Sequence, residues 1–159
     1  MNYEQARAYA VNVSRSGSIL GLDSIENLMH ELGDIQERLK IIHIAGTNGK
    51  GSTGAYLERV LIEAGYRVGR YTSPAVFDPM EVWRINLQST SHEEYADIME
   101  QVKCACDRMV EKGMEHPTIF EVETAMAFLY FYQKKCDYVL LEVGMGGRTD
   151  ATNLIRKPV

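Results

Sequence analysis

The sequence predicts an α/β fold, a mostly parallel sheet flanked by helices. Three observations lead there. Ile41-Ile42-His43-Ile44-Ala45 and Tyr138-Val139-Leu140-Leu141 are apolar runs suited to buried strands and too short for helices. Helical periodicity fills much of the chain between them. A glycine-rich loop, Gly46-Thr47-Asn48-Gly49-Lys50-Gly51-Ser52, joins the first run to the helix that follows. A second strand at Tyr66 to Tyr71 completes a βαβ unit, whose two strands run parallel with a right-handed connection.

The remaining elements follow in order. Ala6, Ala10 and Val13 share a face of a helix over Tyr3 to Val13, and Ser14 to Ser18 is a break. A second helix starts with Asp23 or Ser24 as N-cap, buries Ile25, Leu28, Met29 and Leu32, and ends before Gly33. The helix after the glycine loop takes up its period at Ser52, carries Ala55, Leu57, Val60, Leu61 and Ala64, and stops at Gly65. From Val82 to Gln88, Trp83, Ile85 and Leu87 alternate with polar residues, which predicts a half-buried strand in a hairpin outside the main sheet. Ser91 with Glu94 and Thr118 with Glu121 are capping-box pairs that open two more helices. The last strand ends in Glu142, ahead of a polar turn from Gly144 to Asp150.

Composition bounds the function. The chain has 159 residues, 45% of them hydrophobic and 25% charged, enough for one domain with its own core. Its 17 Lys and Arg against 22 Asp and Glu give a net charge of −5, which speaks against a broad nucleic-acid surface. No apolar run reaches the ~20 residues that span a bilayer, and the first residues lack the pattern of a signal peptide. Three cysteines without framework spacing predict no disulfide scaffold and a cytoplasmic setting.

The glycine loop carries the sharpest chemistry. Polyphosphate needs backbone N–H groups that can approach closely, a positive helix N-terminus and a cation, and Lys50 is that cation. A first-turn hydroxyl, Ser52 or Thr53, suits magnesium or a phosphate oxygen. The spacing departs from the usual nucleotide loop, because Gly51 rather than a hydroxyl residue follows the lysine. A plain glycine turn with a surface lysine is the alternative, and the strand before and helix after weigh against it. Glu142 puts a carboxylate at the carboxyl edge of a parallel sheet, where such folds bind ligands and where a carboxylate can hold magnesium. Ser73, in Thr72-Ser73-Pro74, lies at the same edge, although a hydroxyl-Pro pair by itself reads only as a turn. His43 reads as a core residue, while His30, His92 and His116 have no partner spacing. Cys104 and Cys106 point to different faces of one helix.

Three segments together resemble the folylpolyglutamate synthase/dihydrofolate synthase family of the Mur ligase superfamily. They are Ile42 to Ser52, Tyr71-Thr72-Ser73-Pro74, and Leu141 through Gly144-Met145-Gly146-Gly147-Arg148-Thr149-Asp150 to Asn153. The resemblance implies an ATP-dependent ligase that phosphorylates a folate or dihydropteroate carboxylate and joins L-glutamate to it. It implies ATP on Thr47, Asn48, Gly49, Lys50, Gly51 and Ser52, with Lys50 and Glu142 catalytic and Mg2+ on Ser73 and Glu142. It assigns Gly17, Ser18, Ile19, Leu20, Thr118, Ile119, Phe120, Glu121, Thr149, Asp150 and Ala151 to the substrate, Phe120 as a stacking ring. Residues 1–159 then form the N-terminal part of the ATP-binding domain, with the C-terminal domain absent from this chain. The expectation is an inactive fragment that binds small molecules and self-associates through an exposed sheet edge. The alternatives are another Mur-type amide ligase and a P-loop nucleotide-binding module without ligase activity.

Overall fold

β1 (Ile41–Ile44), β2 (Val68–Tyr71), β3 (Trp83–Ile85), β4 (Gln88–Ser89) and β5 (Tyr138–Glu142) form one sheet in the order β1-β5-β2-β3-β4. This is a computed structural model, and it describes residues 1–14, 21–73, 79–144 and 150–159. β5 runs parallel to both β1 and β2 and lies between them, so the two strands of the βαβ unit are parallel without touching. β3 and β4 form a hairpin, but it is not outside the main sheet. β3 pairs antiparallel with β2, Tyr71 opposite Trp83 and Gly69 opposite Ile85. The turn falls at Asn86 and Leu87, both at positive φ, and this ends the alternation early. Leu87 is therefore exposed rather than buried.

The helices are α1 (Tyr3–Ser14), α2 (Asp23–Glu31), α3 (Lys50–Glu63), α4 (His92–Glu111) and α5 (Ile119–Gln133). Asn2 and Gln5 cap α1 reciprocally, each side chain accepting from the other's backbone N–H at 2.9 Å. Both predicted capping boxes form, Ser91 with Glu94 on α4 and Thr118 with Glu121 on α5. The start of α2 differs from expectation. Its N-cap is Leu22, which offers no side-chain oxygen, and Ser24 Oγ is buried without a hydrogen-bond partner among the described residues. α3 begins at Lys50, two residues ahead of the apolar period, because the glycine loop itself turns into the helix.

Strand alternation sorts the core into two layers. Ile41, Tyr71, Trp83, Val139 and Leu141 belong to the large core shared with α1, α2, α4 and α5. α5 is apolar on nearly every side and buried through Phe131, as a central helix must be. On the other face, Ile44, Val68 and Leu140 form a small cluster with Leu57, Leu61 and Ile62 of α3. The buried positions of α3 are Gly54 and Glu58, while Val60, expected inside, is exposed. The helix is rotated relative to its apolar pattern, and a glutamate takes a core position. The reason lies in the strands beneath it, described below.

Gly69 of β2 lies under the ring of Phe131, and a Cβ there would come 2.5 Å from the ring. Gly69→Ala is expected to destabilise the chain by about 1–3 kcal/mol through overpacking, read from urea unfolding. An unchanged midpoint would show that the ring can move aside freely.

Candidate active site at the carboxyl edge of the sheet

The parallel strands deliver three chain exits to one edge. β1 leads into the glycine loop, β2 leads to Ser73, and β5 ends at Glu142. Tyr71 is in register with Leu141, so Ser73 follows β2 one residue beyond the level of Glu142 on the adjacent strand.

Thr47, Asn48, Gly49, Gly51 and Ser52 are all exposed. Gly49 is the N-cap of α3 in the left-handed conformation, at φ 78°, which a side chain would disfavour. No side chain caps this helix, and its first turn holds no acidic residue, so the end is electrically positive and open to an anion. Lys50 Nζ donates to the carbonyl of Gly46 at 2.8 Å. The loop thus closes on its own lysine, holding the ammonium beside the exposed helix end.

Glu142 is buried, and Oε1 accepts from Arg70 Nη2 at 2.9 Å. The same Nη2 donates to the carbonyl of Gly51 in the first turn of α3 at 2.7 Å. Arg70 Nη1 donates to Glu58 Oε2 at 3.0 Å. Arg84 completes the set, Nη2 donating to Oε2 at 2.7 Å and Nε to Oε1 at 3.2 Å of the same Glu58. Arg70 and Arg84 sit directly opposite each other in the β2–β3 ladder. Like charges so placed repel, and Glu58, 0% exposed, lies between them. This network was missed in the sequence, although it left a signal: a charged residue interrupting an apolar strand at Arg70, and another on the apolar helix at Glu58.

The residues assigned to the substrate separate into three groups. Gly17, Ser18, Ile19, Leu20 and Thr149 lie outside the described residues. Thr118 and Glu121 are bonded to each other, with Glu121 Oε2 accepting from Thr118 N at 2.7 Å and from its hydroxyl at 2.9 Å. Phe120 and Asp150 come together at the end of β5: a Cβ on Gly144 would lie 2.6 Å from Phe120 Cζ and 3.1 Å from Asp150 Oδ2. Asp150 Oδ1 accepts from Thr152 N at 2.9 Å, and Ala151 is buried behind it. Ile119 and Phe120 are partly exposed.

His43 is half-buried and bonds Thr152 Oγ1 at 3.0 Å, and burial holds its pKa below the usual histidine value. Each other histidine has a partner after all: His30 pairs with Asp34, His92 stacks on Tyr3, and His116 bonds the Tyr9 hydroxyl. Cys104 is exposed and Cys106 buried, on different faces as expected. Burial pushes the Cys106 and Cys136 thiols up to about 12, so neither is a thiolate nucleophile at neutral pH. Burial also raises the pKa of the Tyr71 hydroxyl.

No protein-family model matches the chain. It is 39% identical over 154 residues to the dihydrofolate synthase/folylpolyglutamate synthase of Bacillus subtilis, covering 96% of this chain and 36% of that protein. A folylpolyglutamate synthase in complex with AMPPCP and folate superposes with a TM-score of 0.90 at 35% identity, over 100% of this chain and 39% of the other. A bifunctional folylpolyglutamate synthase/dihydrofolate synthase with Mn, AMPPNP and L-glutamate bound gives 0.84 at 36% identity, over 98% and 36%. The chain therefore spans roughly a third of the length of the proteins it matches.

The arginine pair gives Glu58 a structural role. Glu58→Gln is expected to cost about 3 kcal/mol in urea unfolding at neutral pH, because two guanidinium groups would face each other without a carboxylate. A loss below about 1 kcal/mol would mean that Arg84, partly exposed, simply swings into water.

Proposed function

Homologous along nearly its whole length to folylpolyglutamate and dihydrofolate synthases, this chain, we propose, is the N-terminal part of the nucleotide-binding domain of an ATP-dependent ligase. The acceptor is a folate or dihydropteroate carboxylate, and the donor of the amine is L-glutamate. The observation that carries this reading is the meeting, at one sheet edge, of an uncapped helix N-terminus with Lys50 and a buried carboxylate, Glu142.

In this reading the amides of residues 47–52 take the β- and γ-phosphates of ATP. Lys50 leaves the Gly46 carbonyl to counter the charge on the transferring phosphoryl group. The phosphoryl group passes to an oxygen of the acceptor carboxylate and ADP departs. The glutamate amine then attacks the acyl carbon, an amide forms, and inorganic phosphate leaves. The donor set at the edge, the Glu142 carboxylate and the Ser73 hydroxyl, consists of hard oxygens that suit Mg2+. Held by these two residues, the ion would neutralise phosphate charge. Phe120 and Asp150 form the wall beyond β5 on which a planar pterin ring stacks; residues 17–20 and Thr149, outside the described residues, are assigned to the same substrate. Support comes from the neighbours that carry AMPPCP with folate, and AMPPNP with Mn and L-glutamate. The names of the homologues favour this over a peptidoglycan-type ligase or a stand-alone nucleotide module.

No described helix is long and apolar enough to cross a membrane. A cytoplasmic setting and the absence of nucleic-acid binding belong to the proposal, in keeping with three free cysteines and the acidic composition. So does self-association through the side of β1 away from β5, where Val159 N already takes the Ile41 carbonyl.

Two outcomes test the reading. On the full-length protein, Lys50→Ala is expected to weaken ATP binding in calorimetry by about tenfold, equivalent to roughly 1.4 kcal/mol. Unchanged affinity and turnover would remove the loop from the site. Incubation with ATP, Mg2+ and L-glutamate should release phosphate and add glutamate mass to dihydropteroate or tetrahydrofolate, each offered separately. The 159 residues alone should give no such product, because orientation of three reactants supplies much of the barrier reduction. Phosphate release without any acceptor-dependent product from the full-length protein would reject the ligase reading.

A further inference from the structure

Arg70 lies beneath the first turns of α3, 4% exposed, with its guanidinium shared among three acceptors. Nη2 joins the two halves of the proposed site, donating at once to the Gly51 carbonyl on α3 and to Glu142 Oε1 on β5. Gly54 makes room for it, since a Cβ there would lie 3.1 Å from Nη2. A carboxylate as buried as Glu142 is costly without a positive partner, and Arg70 is the one it has among the described residues.

We propose that Arg70 is a resident counter-ion for Glu142, which makes divalent-cation binding conditional on nucleotide. This rests on the reading of Glu142 as a cation ligand. With the site empty, the guanidinium holds Oε1 and keeps the carboxylate aimed beside the loop. A divalent cation arriving alone meets a fixed positive charge that cannot deprotonate, and at this burial the repulsion is weakly screened. The cation gains the carboxylate only when polyphosphate on the α3 N-terminus brings further negative charge. Arg70 Nη2 then releases Oε1 and keeps the Gly51 carbonyl, while Nη1 keeps Glu58. Glu58 is held at two points by Arg84 as well, so the scaffold persists through the exchange. Arg70 is thus a positioning residue that couples two binding events.

The test is a Mn2+ titration of the full-length protein, following the free-ion electron paramagnetic resonance signal with and without a non-hydrolysable ATP analogue. Wild-type protein should bind Mn2+ weakly alone and tightly with the analogue. Arg70→Met, which leaves Glu58 its Arg84 partner, should tighten nucleotide-free binding at least tenfold, and the double variant with Glu142→Gln should lose that gain. Arg70→Lys, which keeps the charge, should stay near wild type. Nucleotide-free affinity unchanged or weakened in Arg70→Met, with analogue-dependent binding still sensitive to Glu142→Gln, overturns the counter-ion role alone. Analogue-dependent binding insensitive to Glu142→Gln overturns the ligand assignment, and the counter-ion with it. Should Arg70→Met not fold, wild-type crystals with Mn2+ and the analogue decide. Arg70 Nη2 separated from Glu142 Oε1 supports the exchange, and a persisting hydrogen bond refutes it.

Discussion

Two arginines facing each other across a β-ladder, with one buried glutamate between them, set how α3 packs on this sheet. Arg70 and Arg84 are paired in register on the α3 side of the sheet, where a shared anion offsets their repulsion. Glu58 is that anion, and placing it at the sheet fixes the rotation of α3. Gly54, one turn earlier on the same face, follows as a requirement, because the guanidinium of Arg70 occupies the space a side chain would take. The exposure of Tyr56 and Val60 is the other side of the same rotation. An apolar stripe would have turned the helix differently, and the charges override it.

That rotation bears on chemistry because α3 begins at the glycine loop. The direction of its N-terminal amides, and of Lys50, is set by how the helix seats on β2 and β5. Arg70 ties the seat at two levels, to Gly51 at the start of the helix and to Glu58 about two turns on, and extends the tie to Glu142. Charged groups buried behind a site seldom add much stability over apolar packing, but they fix geometry. Here they fix the spacing between the part that would hold phosphate and the part that would hold a cation.

Most of the architecture was legible because strands and helices announce themselves by period and by caps. Trp83 and Ile85, the capping pairs Ser91–Glu94 and Thr118–Glu121, and Gly65 after α3 all stand where local pattern placed them. Pairing was less legible. That β3 joins β2 depends on contacts across the sheet, and nothing in Val82 to Gln88 distinguishes a hairpin on the sheet from one beside it. The site was legible as separate motifs, since glycine, lysine and a strand-end glutamate are local signals. Their connection through Arg70 was not, because its partners are 12, 19 and 72 residues away in the chain.

The cap of α5 shows how local chemistry becomes pocket shape. Thr118 and Glu121 bond each other, the backbone N–H and hydroxyl of Thr118 both donating to Glu121 Oε2. What they do is hold the first turn of α5 rigid, and Phe120 lies within that turn. Its ring reaches the end of β5 because Gly144 has no Cβ, a distance of 2.6 Å that no other residue could occupy. Asp150 approaches the same point and is itself pinned by Thr152, whose hydroxyl also bonds His43 on β1. An aspartate and an aromatic ring from distant segments therefore meet over the bare Cα of Gly144, and Thr152 links the aspartate to a half-buried imidazole on β1. The wall beside Glu142 owes its place to a helix cap and a glycine.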